Sequence, residues 1–323
     1  MDTTEICKAK FGSAAHDVDN SWDDELQKLE QTLPTEEGWI SGMSLYLYQG
    51  FWCSGASVRD LKPALAFSTL YRDRFASDEH PLFTFNPHQL VRHLEFDVYS
   101  NNPCPDLENI CVYKPRAFAT HLPYASLPTS IKDSKCKIVY ICRNPLDTFI
   151  SLWLFIDKLR DQNNELLPLD EAFDKFRLGI CGYGPFFDYV LGYWKASQEN
   201  PYKILFLKYE DLKENISSQL KHLAMFLGVP FTEDEEKQGV VEKITQICSF
   251  EKLKELEVNK KGSHITGIPH KEFFRKGKVG DWSNYLTPSM VERLEKLIHE
   301  KMENSGLTFK LSSKTSKDTI SSA

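Results

Sequence analysis

A chain of 323 residues with 41% hydrophobic content carries enough apolar material for a large core, as one big α/β domain or two smaller ones. Its 39 Lys and Arg stand against 46 Asp and Glu, and the net charge of −7 argues against a general nucleic-acid binder. No run of about 18 apolar residues occurs, so no membrane span is expected.

Residues 1–20 are polar and carry acids, so they read as a disordered tail and not as a signal or transit peptide. Residues 314–323 read as a second tail. The eight cysteines are scattered singly with no C-x-x-C pair, which predicts reduced thiols in a cytoplasmic protein. The Asn215-Ile216-Ser217 sequon would then meet no glycosylation machinery. A helix is expected from Ser21, with Asp24 in a capping-box position, ending before Pro34. No internal repeat or low-complexity linker interrupts residues 21–313, which predicts one domain.

Three short apolar runs rich in β-formers predict buried strands at 116–120, 137–142 and 203–208. Between and after them lie helical patterns. One spans Ile216 to Leu227 with Gly228 in the C-terminal capping position. Another starts at Thr287-Pro288, carries the stripe Met290, Leu294, Leu297 and Ile298, and is expected to run to Gly306. Strands alternating with helices predict an α/β fold with a mainly parallel sheet covered on both faces, and ligands at the carboxyl ends of its strands.

The strand KIVYIC runs directly into Arg143-Asn144-Pro145-Leu146-Asp147. Asn144 suits an N-cap, Pro145 the first helical position, and Asp147 the acid of a capping box. A helix N-terminus there offers free N–H groups and partial positive charge to a phosphate, with the planar fork of Arg143 at its mouth and the Ser151 hydroxyl two turns on. The alternative is a well-capped helix with a surface arginine. His121, in Thr120-His121-Leu122-Pro123, closes another strand, where a neutral imidazole suits a general base, although a lone histidine is more often structural. Tyr209 closes the third strand, placed to meet an adenine edge or simply to pack. Cys248-Ser249-Phe250 precedes a helix and reads by default as a cap and a core anchor. Within this acidic chain the stretch FFRKGKVGDW is basic: Lys271, Arg275, Lys276 and Lys278 crowd together with only Glu272 to offset them, and Gly277 and Gly280 leave backbone N–H groups uncovered. A small anionic ligand suits such a segment.

The segments YLYQGFW, HPLFTFNPH, FATHLPYASLP, KIVYICRNPLDTFISLW, GYGPFFDYVLGYW, FLKYEDLKENI, CSFEKLKELEVNK and FFRKGKVGDWSNYLTP resemble, in order, the cytosolic sulfotransferases, most closely those of plants. The YLYQGFW start and GLTFKLS ending resemble the hydroxyjasmonate branch. The resemblance covers about residues 21–313. It implies a P-loop-kinase-like, three-layer α/β fold and transfer of a sulfuryl group from 3′-phosphoadenylyl sulfate to a hydroxyl of a small, mostly apolar acceptor, with no metal. It implies His121 as general base, and Arg143 and Ser151 as holders of the donor's 3′-phosphate. Arg275, Lys276 and Gly277 match the segment that closes over the same phosphate. Tyr209 matches an adenine contact, Phe250 the ring stacked on adenine, and Cys248 stands where many members have threonine. It implies no nucleic-acid or membrane partner, and a monomer or homodimer. Residues 283–288 depart from the short dimer motif of animal members.

The family pattern also carries a P-K-S-G-T-T-W segment after a first central strand, whose lysine and backbone N–H groups hold the 5′-phosphosulfate. It belongs between GFWC and ALAFSTLYRDRF. Here residues 53–64 read CSGASVRDLKPA, and both the loop and its apolar strand are missing. Lys62 is a possible remnant, but Pro63 behind it disfavours helical geometry. No Walker-type motif replaces the loop, which weighs against an ATP-dependent kinase. Two expectations therefore stand: a sulfotransferase with impaired donor binding, or a non-catalytic protein of the same fold that binds a nucleotide or an apolar ligand. Phe155, Tyr183, Phe186 and Phe187 suggest an aromatic acceptor pocket.

Overall fold

The computed structural model describes residues 32–39, 44–48, 51–53, 61–75, 78–99, 102, 104–111, 113–159 and 165–311. Residues 21–31 of the expected helix, both tails and residues 54–60 of the departing segment lie outside them.

Two strands carry the structural centre. β6 (Ile138–Cys142) and β7 (Ile204–Lys208) pair in parallel, from Ile138 opposite Ile204 to Cys142 opposite Lys208. Alternation sends Ile141, Leu205 and Leu207 to one face and Tyr140, Cys142 and Phe206 to the other. On the first face lie α6 (Ile216–Leu227) and α7 (Val240–Ile247), contributing Leu220, Leu223, Val241 and Ile244 to one buried cluster together with Leu253 and Leu65. The opposite face meets α2 (Pro145–Leu159), α3 (Leu169–Arg177), α4 (Phe186–Glu199) and α9 (Pro288–Met302), whose Phe149, Phe173, Phe176, Val190 and Leu294 form a second cluster. Helix layers thus cover both faces of the sheet, giving a three-layer α/β fold.

The third predicted strand shortens to β5 (Phe118–Ala119), which pairs in parallel with β4 (Arg92–His93). Among the described residues this pair and the β6–β7 pair share no ladder. Ile138, Val139 and Tyr140 are only half-buried, as are residues 117–122, although their apolar composition suits a strand flanked on both sides. A separate antiparallel meander joins β1 (Thr35–Glu37), β2 (Ser44–Tyr48) and β3 (Phe51–Cys53).

Local signals set several boundaries. Asn215 accepts a 3.0 Å hydrogen bond from the Ser218 N–H to cap α6, and Gly228 ends it in the left-handed conformation at φ 82°. The Thr287 hydroxyl caps α9, with Pro288 at its first position. That helix stops at Met302, short of Gly306, because Asn304 already turns left-handed at φ 63°. Helix α1 (Leu61–Leu70) includes Lys62 and Pro63, contrary to the expectation of non-helical geometry there. Pro63 occupies the first turn, where its missing N–H costs no intrahelical bond. The expectation of reduced cysteines holds at Cys111, Cys136, Cys142, Cys181 and Cys248 but fails at Cys104, which is disulfide-bonded. Linear spacing could not announce that pairing, which depends on where the fold brings two sulfurs.

A buried histidine near α1 gives the fold a pH dependence. His80 packs edge-on against Phe67 and Phe75, and its Nδ1 accepts from the Leu82 N–H at 3.2 Å. Burial lowers its pKa from 6.5 to about 4. The unfolded chain therefore binds a proton that the folded chain refuses between those values. The contribution is complete above pH 6.5 and falls on acidification by up to about 1.4 kcal/mol per pH unit. Urea unfolding at pH 7 and pH 5 should show a smaller acid loss for His80→Asn than for the parent chain; equal losses would refute the assignment.

Candidate nucleotide-binding site

The strand β6 delivers Arg143 and Asn144 to the N-terminus of α2, at the carboxyl end of the sheet. Asn144 caps that helix by accepting the Asp147 N–H at 2.8 Å. The capping box closes differently from the sequence expectation. The Asn144 N–H donates to Glu210 Oε1 at 2.9 Å instead of to Asp147, and the Asn144 amide donates to both carboxylates at 2.9 Å. Glu210 sits at the start of α5 (Tyr209–Glu214), and its burial pushes the carboxyl pKa up.

Asp147 is thereby free for another task. Fully buried, it accepts the Gly280 N–H at 2.8 Å and the Trp282 N–H at 3.1 Å. These bonds tie the segment from Arg275 to Trp282 to the helix N-terminus, although some 130 residues separate the two in sequence. Arg143 completes the junction: its Nη2 lies 3.3 Å from Asp147 Oδ2 and donates to the Lys278 carbonyl, while its guanidinium stands 5.0 Å from the Tyr209 ring centroid.

The basic segment is less unbalanced than its composition suggests. Arg275 and Lys276 both donate to Asp281, the latter at 2.8 Å, and Asn284 adds a third donor. Those donors outweigh the burial of Asp281 and hold its carboxyl down at about 2. Lys158 meets Glu272 at 2.7 Å. Within residues 275–282, Arg275, Lys276 and Lys278 set against Asp281 still leave an excess of two positive charges on the segment.

Gly277 has a steric reason to be glycine. Its φ is 62°, and a Cβ there would fall 2.6 Å from the Phe250 ring. Phe250 opens α8 (Phe250–Glu255), which the Ser249 hydroxyl caps through the Lys252 N–H at 3.2 Å. Cys248 faces inward: fully buried, its sulfur lies 3.2 Å from the Ser68 hydroxyl on α1, and burial raises the thiol pKa to about 12. Ser151 is half-buried on α2. The fold therefore sets Arg143 against Tyr209, and Gly277 of the basic segment against Phe250, with that segment anchored at α2. The contact of Cys248 is with α1.

His121 belongs to a neighbouring group. Its N–H donates to Glu95 Oε1 at 2.7 Å, the Thr120 hydroxyl donates to the same oxygen, and its carbonyl accepts from the Tyr189 hydroxyl at 2.9 Å. The backbone is thus fixed on both sides of the imidazole. The ring stacks between His93 and Tyr183, each 4.9 Å away between centroids. Tyr183 holds φ at 63°, rare for a residue with a bulky side chain. Of the other aromatic residues expected in an acceptor pocket, Phe187 is buried in the core against Phe186, and Phe155 packs on Phe273.

The positioning roles of three residues escape sequence reasoning. Asp281 had a local signal, an acid five or six positions beyond a basic pair. Asp147 was visible as a helix-cap acid, but its tie to Gly280 and Trp282 was not. Glu95 lies 26 residues before His121 and gives no linear signal.

The family model described as "Sulfotransferase domain" matches residues 64–306, three quarters of the chain. Cytosolic sulfotransferase 15 of Arabidopsis thaliana is 44% identical, the match covering 89% of this chain and 88% of the relative. Cytosolic sulfotransferase 14 of the same plant is also 44% identical, over 89% and 91%. The first match spans 318 aligned positions but takes in only about 287 of the 323 residues here, 89% of 323, leaving about 31 positions to the relative alone. Among solved structures, an Arabidopsis thaliana sulphotransferase is 34% identical, covers 92% of this chain and 99% of its own, and superposes with a TM-score of 0.69. Mouse sulfotransferase SULT7A1 complexed with PAP is 28% identical over 81% and 95%, with a TM-score of 0.56. With three quarters of its length matched and plant relatives at 44% identity, the chain belongs to the sulfotransferase family, among the plant cytosolic sulfotransferases.

Proposed function

We propose that the basic junction at the N-terminus of α2 holds the 3′-phosphate of 3′-phosphoadenylyl sulfate, and that the chain is a sulfotransferase for a small apolar alcohol or phenol of the hydroxyjasmonate, flavonoid or steroid type, working in the cytoplasm. The observation that carries this reading is the excess of two positive charges on a segment pinned to a helix N-terminus by Asp147. A terminal phosphate carries −1.5 to −2 at neutral pH and takes charge-assisted bonds from such a set. Arg143 and Arg275 are oriented for it by Asp147 and Asp281, Ser151 supplies a hydroxyl, and Phe250 and Tyr209 border the adenine, while Cys248, turned inward onto Ser68, does not. The residues from 21 to 313 act as one domain.

In the transfer, His121 takes the proton of the acceptor hydroxyl. The acceptor oxygen attacks sulfur in line, and the bond from sulfur to the 5′-phosphate oxygen breaks. Adenosine 3′,5′-bisphosphate leaves with that electron pair, and the proton stays on the imidazole. Glu95 and Tyr189 hold the His121 backbone so that the ring meets the acceptor.

A second reading rests on residues 53–64. The family match begins at Ala64, about 31 positions are missing relative to cytosolic sulfotransferase 15, and the two parallel strand pairs share no ladder among the described residues. These observations favour a lost strand and phosphosulfate loop between the pairs, and hence a protein that keeps the bisphosphate half of the site without efficient turnover. Under either reading Arg143→Ala and Arg275→Ala should each weaken adenosine 3′,5′-bisphosphate binding by about 1.5–3 kcal/mol, the worth of a hydrogen bond to a charged group. Affinity for adenosine 5′-phosphate should stay the same. Calorimetric titration decides; equal losses for both nucleotides would remove the 3′-phosphate from this junction.

A further inference from the structure

We propose a transition-metal site of the zinc class formed by His93, Asp97 and His264. The three residues come from separate pieces of chain: the end of β4, the wide helical turn Leu94–Val98 that follows it, and the loop 263–269. One ligand atom from each lies within 4.8 Å of the other two. The Asp97 carboxylate sits between the imidazoles, 3.8 Å from His93 Nδ1 through one oxygen and 3.9 Å from His264 Nε2 through the other. Both separations are too long for hydrogen bonds. His93 and His264 are 3% and 6% exposed, and neither His93 Nδ1 nor His264 Nε2 has a hydrogen-bond partner. Two buried ring nitrogens left unsatisfied around one carboxylate require an explanation, and a cation at their common centre supplies it.

Local structure prepares these ligands. The His93 N–H donates to Asp97 Oδ2 at 2.7 Å and fixes the carboxylate. The ring of His264 is held from its far side, with Nδ1 2.8 Å from the Thr266 hydroxyl. Nδ1 also accepts the Thr266 N–H at 3.3 Å, so a metal at Nε2 displaces the ring proton from that nitrogen, and Thr266 holds the ring in place from behind. The backbone of the loop is set by the His264 N–H bonded to the Ile268 carbonyl at 2.8 Å and by Gly267 at φ 84°.

Two imidazoles and one carboxylate select zinc-like ions over calcium or magnesium, which prefer all-oxygen shells. Bonds near 2.0–2.1 Å ask the three ligand atoms to close from within 4.8 Å to about 3.3 Å of one another when the ion binds. Partial exposure of Asp97, at 12%, leaves the fourth position open to water. Sulfuryl transfer has no need of this ion. Its role is that of a staple: it joins β4 to the loop that leads directly into His270–Phe273 and the basic segment beyond, and it sits one imidazole ring from His121.

Titration of the metal-free full chain with Co²⁺ tests the site without any assay of transfer. The expected result is one Co²⁺ per chain with the intense visible d–d bands of a low-coordinate site, no thiolate-to-cobalt charge transfer, displacement by Zn²⁺, and a raised melting temperature with Zn²⁺. Asp97→Asn and His264→Gln should each weaken binding at least about tenfold, whereas His222→Asn with His299→Asn on the surface should leave it unchanged. Absence of a Co²⁺ band in the parent chain, a thiolate charge-transfer band, or unaltered binding in both ligand variants would overturn the site.

Discussion

Inserting an apolar strand and a P-K-S-G-T-T-W segment between Cys53 and Ala64 is expected to raise sulfuryl transfer by at least about 10²-fold. The charge that develops on the transferring group and the bridging oxygen needs fixed donors aimed at it. Loss of a single such donor costs about 2.7–4 kcal/mol in comparable sites, and under the second reading a lysine and several backbone N–H groups are absent together. Among the described residues the β4–β5 and β6–β7 pairs share no ladder, and residues 117–122 and 138–140 are only half-buried, so the inserted strand is expected to pair between them. It should therefore stabilise the fold as well as supply the loop. Transfer from labelled donor to hydroxyjasmonate, flavonol and steroid acceptors, measured for both chains, reads the effect. Robust turnover by the unmodified chain would mean that another segment holds the phosphosulfate.

In the repaired chain, His121→Ala should lower the rate by about 10²–10⁴-fold, the span of a positioned acid–base group. Affinity for adenosine 3′,5′-bisphosphate should hardly change, because the contacts of His121 are with His93, Phe96 and Tyr183 and those of the basic junction are with Asp147, Asp281 and Tyr209. Full activity of His121→Ala at saturating donor would end the assignment of His121 as base. Equal losses in rate and in bisphosphate affinity would show that the two groups act as one.

The elements that carry the site were legible where local rules decide them. KIVYIC and KILFLK were readable as strands because buried parallel strands need uninterrupted apolar runs. The α2 start was readable from Asn144 and Pro145, whose preferences for the cap and first position do not depend on the rest of the fold. The partners of these residues were not readable. The N–H of Asn144 finds Glu210, 66 residues away, and Asp147 turns from its own helix to the N–H groups of Gly280 and Trp282. Gly277 was visible as a glycine in a basic loop, but the reason for it is the ring of Phe250, which only the tertiary structure brings there. The convergence of His93, Asp97 and His264 left no linear trace, because 167 residues separate its last two members.

The most direct test of the proposed site compares two nucleotides on the unmodified chain. Calorimetric titration should show adenosine 3′,5′-bisphosphate binding at least about tenfold more tightly than adenosine 5′-phosphate, since the added phosphate meets the charge excess around Arg143 and Arg275 through charge-assisted bonds. Equal affinities for the two would contradict the account, for the basic junction would then be a self-contained structural network serving no 3′-phosphate.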